Sequence, residues 1–177
     1  DVFVAGTAYN FLNVFRNYPD KISWRGTLSA SGINRLHCST VEEADIVTAI
    51  LSSRITYWLW HVECDGFHVP AWFLTELPLL NMRMPERLAE ELGHLGRSAW
   101  AGLQRDVICS ANRDRLTFAF RPTEISNVRS AIDALLADLI GADPDTAAML
   151  REFERQVVSI HGSVRLARNR KDEGVVE

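Results

Sequence analysis

The amino-acid sequence predicts an α+β fold, in which a small mixed or antiparallel sheet surrounds a buried central helix and a mainly helical C-terminal part follows. Three observations predict it. β-Branched and aromatic residues concentrate at Val2–Ala5 and Ala8–Phe15, as in strands. Apolar residues recur every three or four positions over 85–107 and again over 123–141, as in amphipathic helices. Between these regions, residues 51–80 combine an apolar run with three of the five tryptophans.

Residues 52–64 are predicted to form the central helix. Ile55 and Val62 lie two turns apart on one side of it, while Tyr57 and Trp60 lie on the other. Because the helix is apolar on nearly every side, it is expected to be buried between other elements, at the centre of the domain. Its aromatic side chains are expected in the core rather than stacked on nucleic-acid bases.

A turn and a second short helix are predicted next. Asp65-Gly66 is a turn dipeptide, because glycine accepts the positive φ that most residues resist. Phe67–Val69 is expected to be extended, and a short helix is expected from Ala71 to Glu76, ending before Pro78. Trp72 is expected to join the core.

The residues between the first strands and the central helix predict a loop, a strand and a helix start. Residues 17–31 combine a turn with a polar, irregular surface loop, and Asn34–Cys38 is predicted as a strand. Thr40 and Glu43 form a capping box, in which the hydroxyl accepts a bond from the Glu43 amide. The helix that starts there is expected to continue toward the central helix, with a kink at Ser52-Ser53.

A long helix is predicted from Pro85 to Val107, because proline suits a first helical turn and leucines recur at helical spacing behind it. Gly93, Gly96 and Gly102 interrupt it. Each interior glycine costs roughly 0.5–1 kcal/mol relative to alanine. Three of them therefore predict that another helix or strand approaches closely.

The C-terminal region predicts a strand and two closing helices. Leu116–Phe120 alternates apolar residues as a strand does, and Thr123 is predicted to cap a helix that ends at Gly141. Asp143-Pro144 is predicted to start the last helix. Its inward face is expected to carry Met149, Phe153, Val157 and Ile160.

These elements divide the chain into four parts. Residues 1–80 form the principal lobe, 81–115 a long spacer-like helix, 116–162 a strand with closing helices, and 163–177 a basic flexible tail. The chain begins at Asp1 without a methionine, so it is expected to be a piece of a longer protein.

Composition limits the function classes. A chain of 177 residues can bury one sizeable core, and no apolar run reaches transmembrane length. Three cysteines without framework spacing predict a reducing compartment, the cytoplasm. The net charge of −4 runs against nucleic-acid binding unless the basic residues gather on one face or a partner domain holds most of the DNA.

The segment 51–80 resembles part of the C-terminal target-recognition region of N6-adenine DNA methyltransferases, including the single-chain restriction-modification enzymes that fuse a methylase to a nuclease. Residues 7–15 resemble that family's first strand, and 120–123 resemble the lead into its closing helices. The sequence departs from the family pattern at Arg54, His61 and Cys64. The residues that match the pattern in the central segment are Leu51, Ser52, Ser53, Tyr57, Trp58, Asp65, Gly66, Phe67, His68, Leu77 and Pro78.

The resemblance implies a non-catalytic region that positions double-stranded DNA for a separate catalytic domain. The chain itself has no Asn-Pro-Pro-Tyr or Asp-Pro-Pro-Tyr tetrapeptide to hold a flipped base, and no glycine-rich turn suited to S-adenosylmethionine. No cofactor is therefore expected in this chain. S-adenosylmethionine is expected in an N-terminal methyltransferase domain of the parent protein.

Six residues are candidates for DNA contact. Asp65 and His68 lie at the turn after the central helix, where the alternative is a purely structural corner. The other four lie within or beside the 17–31 loop, where the alternative is a solvated surface. Arginine there would pair with guanine or phosphate. These four are Arg16, Lys21, Arg25 and Arg35.

Two further hypotheses remain open. His61, Cys64 and His68 have a spacing that invites zinc, but no second Cys-x-x-Cys motif supports a metal, and packed helix residues are the simpler interpretation. No metal site is predicted. The alternative function is a protein-interaction or oligomerisation module that docks a partner chain through the C-terminal helices.

Overall fold

The α+β class is confirmed by the structure, a computed structural model that describes residues 1–8, 10–16, 32–105, 108–112 and 115–158. For the strands at 108–112 and 115–119 it describes the backbone. Within these residues, a three-stranded antiparallel sheet and a two-stranded hairpin accompany helices that dominate the C-terminal part.

The three-stranded sheet has the order β2-β1-β3. Its strands are β1 (Val2–Ala5), β2 (Val14–Phe15) and β3 (Ile33–Leu36). Both pairings are antiparallel, with Phe3 opposite Phe15 on one side and opposite Arg35 on the other.

The strand predicted over Ala8–Phe15 is reduced to two residues, because the chain leaves the sheet after β1. The backbone of Gly6 and Ala8 instead bonds to residues 67–69: the Ala8 amide donates to the Phe67 carbonyl at 2.8 Å. Residues 67–69 thus form backbone hydrogen bonds with this part of the chain, where the sequence pattern predicted pairing within the sheet. The turn and loop predicted over 17–31 lie outside the described residues.

A β-hairpin and the helices make up the rest of the described fold. The hairpin consists of β4 (Ile108–Asn112) and β5 (Arg115–Ala119), and a 3-10 helix at Pro122–Ile125 leads into the C-terminal helices. The helices are α1 (Val41–Ser52), α2 (Arg54–Glu63), α3 (Ala71–Glu76), α4 (Pro78–Asn81), α5 (Glu86–Arg105), α6 (Ser126–Leu139) and α7 (residues 146–158).

Helix α1 occupies the centre of the core. It packs along α5 and also contacts α2, α4, α6, β1 and β2. Helix α2 is buried over most of its length: Ile55, Tyr57 and Trp60 are buried as predicted, whereas Val62, near its end, is 55% exposed. The burial predicted on every side of α2 is therefore wrong at Val62.

The kink predicted at Ser52-Ser53 is a complete break between α1 and α2. Ser53 has an extended backbone, and its hydroxyl accepts a bond from the Thr56 amide at 3.0 Å, which caps α2. Because the helical backbone stops at Ser53, α2 is a separate helix and does not extend α1. The cap predicted at Thr40 is confirmed, since its hydroxyl accepts the Glu43 amide at 3.0 Å.

Three C-terminal predictions need correction. Helix α5 ends at Arg105, and residues 108–112 form a strand in place of the end of the spacer helix. Thr123 lies inside the 3-10 helix and does not cap α6. On α7, Phe153 and Val157 pack against the core as predicted, but Met149 is 52% exposed and the adjacent Leu150, at 2%, is buried in its place. Ile160 lies outside the described residues.

Close approach explains two of the three glycines in α5. A Cβ on Gly96 would overlap the Asp45 carbonyl of α1 and lie 3.2 Å from the Ala49 nitrogen. A Cβ on Gly102 would overlap the Ile125 side chain. At Gly93 the nearest atom would be 3.8 Å away, which is ordinary contact. The predicted close approach is thus confirmed at Gly96 and Gly102.

Gly96→Ala and Gly93→Ala form a matched pair that tests this contact. Gly96→Ala should lower the free energy of unfolding by about 1–3 kcal/mol, because a backbone carbonyl cannot move aside as a side chain can. Gly93→Ala should raise it by roughly 0.5–1 kcal/mol through helix propensity alone. Urea denaturation measures both. Equal effects of the two substitutions would contradict the packing of α1 on α5.

Candidate functional site

The corner after α2, residues 65–69, is organised by one carboxylate. The Asp65 Oδ1 atom accepts the backbone amides of Phe67 at 2.9 Å and His68 at 2.7 Å, while Oδ2 contacts His68 Nδ1 at 2.6 Å. These bonds, led by the one from the His68 ring, lower the pKa of Asp65 to about 2. Gly66 has a φ of +70°, as the turn dipeptide predicted.

The backbone of this corner is also fixed from outside. Val69 donates to the Gly6 carbonyl at 2.9 Å, and its own carbonyl accepts from Asn34 Nδ2 at 2.7 Å. The His68 carbonyl accepts the indole N–H of buried Trp60 at 2.7 Å. The corner is therefore tied to the end of β1, to β3 and to α2.

The side chains of the corner face outward although its backbone is anchored. The His68 side chain is 64% exposed, and Asp65 is exposed beside it. The Phe67 ring is half-buried and lies edge-on to the His68 ring, with 4.7 Å between centroids. Trp72, predicted in the core, is 48% exposed. The corner therefore has a structural role, through its anchored backbone, and it also presents the His68 side chain to solvent.

The predicted arginines lie apart from this corner. Arg16 forms a largely buried ion pair with Asp45, whose other oxygen accepts from Arg97 Nη1 at 2.9 Å. Arg35 is exposed on β3 and pairs with Asp1 at 2.6 Å. Asn34, its neighbour, reaches the corner, but successive residues of a strand point to opposite faces of the sheet. Lys21 and Arg25 lie outside the described residues.

The three residues considered for zinc have other contacts. The His61 ring packs edge-on against Tyr57 and Trp60, with both centroids at 4.6 Å, while Cys64 is half-buried. His68 is engaged by Asp65. Across the part of the chain that the structure describes, no group of three or more histidines, cysteines or carboxylates is gathered as a metal would require.

A buried ionic cluster of Arg54, Arg129, Asp133 and Glu154 was not predicted. Asp133 accepts the Arg54 amide at 2.8 Å and the Arg54 Nη1 at 2.9 Å. Glu154 bridges Arg54 Nε and Arg129 Nη1. The cluster therefore joins α2, α6 and α7. All four side chains are buried or nearly so.

The sequence did carry a signal for this cluster. Arg129 and Asp133 lie four residues apart on the same side of α6 as buried Ile132 and Leu136. Charges in an apolar stripe are expected to be paired, because an unpaired buried charge costs several kcal/mol. Burial lowers the pKa of the Arg129 guanidinium, and Glu154 opposes that shift.

Comparison with protein-family models, with curated proteins and with solved structures finds no match to this chain. The resemblance to the target-recognition region therefore stays a prediction. None of the helices that the structure describes is long and apolar enough to cross a bilayer.

Two substitutions compare the contribution of the buried cluster to stability with that of the exposed ion pair between Glu152 and Arg155. Asp133→Asn should lower the free energy of unfolding by about 3–5 kcal/mol, because the buried cluster keeps two arginine charges and only one carboxylate, Glu154, to balance them. Glu152→Gln should leave stability nearly unchanged, since both members of that pair are exposed. Chemical denaturation gives both values. Similar midpoints for the two variants would show that the cluster does not hold α2 to α6.

Proposed function

We propose that this chain is the non-catalytic DNA sequence-recognition region of a larger N6-adenine DNA methyltransferase or restriction-modification enzyme. It would position duplex DNA for a separate catalytic domain. The observation that carries the proposal is the corner at 65–69, which presents His68 to solvent from a fully anchored backbone. These are also the residues at which the sequence resembles that family most closely.

Sequence recognition requires a side chain that is both accessible and held still, because base edges are distinguished by hydrogen-bond geometry. The side chain of His68 is held still because Asp65 contacts the ring at Nδ1. With its Nδ1–H donated to Asp65, a neutral imidazole offers Nε2 as an acceptor to a base amino group. A protonated ring offers Nε2–H to a guanine or phosphate oxygen.

Two exposed arginines support the proposal despite the acidic net charge. Arg97 shares the Asp45 carboxylate with Arg16 and also lies near Glu42, so this group as a whole is balanced in charge. Arg97 and Arg35 are exposed enough to approach phosphates. Such contacts position a protein on DNA without specifying the sequence, which leaves specificity to the corner.

Methyl transfer would take place elsewhere. S-adenosylmethionine would be held by the N-terminal methyltransferase domain of the parent protein, and this chain would hold the duplex while the target adenine leaves the stack. The role of this chain is therefore binding and orientation.

One observation favours the alternative, a protein-interaction module. Ile140, at the end of α6, and Met149, on α7, are large apolar side chains that are exposed on the C-terminal helices. Exposed apolar groups are found where a partner docks. This candidate requires no contact with DNA.

The double substitution Arg25→Ala with Arg35→Ala separates the two functions. The unchanged chain should bind a fluorescein-labelled duplex with an affinity that falls as salt rises, and the double variant should flatten the salt slope by about two, roughly 0.9 per lost phosphate contact. Fluorescence anisotropy at several salt concentrations measures the slope. Arg83→Ala with Arg87→Ala removes the same charge from the exposed face around α5 and should leave the slope unchanged.

Two outcomes would reject DNA recognition. One is an absence of duplex binding at low salt, and the other is an equal effect of the two double variants. A stable oligomer without DNA binding, observed by light scattering, would favour the interaction module.

A further inference from the structure

A cleft that is separate from the corner opens beside the ionic cluster. Its volume is about 460 Å³, and it lies between the start of α6 and the outer face of α7. The corner follows the last residue of α2, whereas the cleft adjoins Arg54, its first residue. At 1.5 Å per residue, α2 separates the two sites by about 14 Å.

The side chains around the cleft are predominantly basic. Arg54, Arg129, Arg151 and Arg155 line it together with a single carboxylate, Glu154. Asp133 and Glu152 pair with two of these arginines from behind, which still leaves the group with a net positive charge. An anion entering the cleft would therefore meet an attractive field at short range.

Arg129 has unused hydrogen-bonding capacity. Its Nε donates to the Ser52 carbonyl at 2.8 Å, and Nη1 pairs with Glu154. A guanidinium has five N–H donors, so three of them have no partner among the residues that the structure describes. Phe11 covers one face of the guanidinium, with Cζ 5.0 Å from the ring centroid. The remaining donors lie in the plane of the guanidinium, where a planar or tetrahedral oxyanion would bind.

We infer that this cleft binds a phosphate group. The Glu154 carboxylate already fills the space between Arg54 and Arg129, so a phosphate group would bind at the Arg129 donors that Glu154 leaves unused. Ser126 accepts from Arg54 at 3.0 Å through its oxygen, so its hydroxyl hydrogen remains to be donated. Phosphate has several acceptor oxygens and up to two charges, which suits the unused donors of Arg129 and Ser126 together with the charges of Arg151 and Arg155 on the cleft wall.

The phosphate group could belong to free inorganic phosphate or to the backbone of a nucleic acid. Both present the same oxygens to the cleft. Competition distinguishes them, because backbone binding makes duplex DNA and pyrophosphate mutually exclusive, whereas a free-phosphate site binds pyrophosphate without displacement by DNA.

Isothermal titration of the full 177-residue chain with sodium pyrophosphate, with and without saturating duplex DNA, tests the inference. The double substitution Arg151→Ala with Arg155→Ala should weaken pyrophosphate binding about tenfold or more, the effect of losing at least one charge-assisted hydrogen bond. Both positions are exposed on α7, so the fold should persist, and circular dichroism verifies it. Arg83→Ala with Arg87→Ala is the charge-matched control and should bind as the unchanged chain does.

Pyrophosphate binding that is lost only in the cleft variant supports the inference, whichever way DNA competes. No binding of pyrophosphate to the unchanged chain, or equal weakening by both double variants, overturns it. His68→Ala should leave pyrophosphate affinity unchanged. An absence of phosphate binding in the cleft and an absence of DNA recognition at the corner can therefore be distinguished.

Discussion

The bond between Asp133 and Arg54 determines where α2 starts, and much of the remaining structure depends on it. One Asp133 oxygen accepts the Arg54 amide, which the helix itself would leave without a partner, and the other accepts the Arg54 guanidinium. Both charges are buried, so the pair is tolerated only because Glu154, Ser126 and Ser130 satisfy further donors of the same guanidinium. A displaced α6 would leave those donors unsatisfied, which makes the contact a determinant of geometry.

Helix α2 transmits that position to the corner at 65–69. Tyr57, Trp60, His61 and Phe153 contact one another through their rings along its buried side, and the Trp60 indole donates directly to the His68 carbonyl. Aromatic contacts of this kind restrict rotation of the helix about its axis. The exposed imidazole and the arginine-lined cleft therefore lie at opposite ends of one rigid element. In the proposed function, the same helix would align a base contact with a phosphate contact.

Caps, turns and steric constraints were predictable from the sequence, whereas contacts between segments that are distant in the chain were not. The Thr40 cap, the Asp65-Gly66 turn and the constraint at Gly96 each depend on a few neighbouring residues or on the steric limits of one residue. The contact of Gly6–Ala8 with residues 67–69 spans some sixty positions, and no period in the sequence encodes it. The exposure of Val62 and of Met149 depends on which elements pack beside each helix, and the spacing of apolar residues does not specify this. The ionic cluster was signalled by charges on the apolar face of α6, but its partners come from three helices.

The central claim is that an exposed side chain on a fixed corner selects a DNA sequence. The most direct measurement is enrichment of bound duplexes from a random-sequence pool by the full chain, compared with His68→Ala and with His37→Ala, which alters another exposed histidine. The account predicts a short enriched motif that is retained by His37→Ala and loses preference at one or two positions in His68→Ala. An unenriched pool, or the same motif from all three proteins, would contradict it.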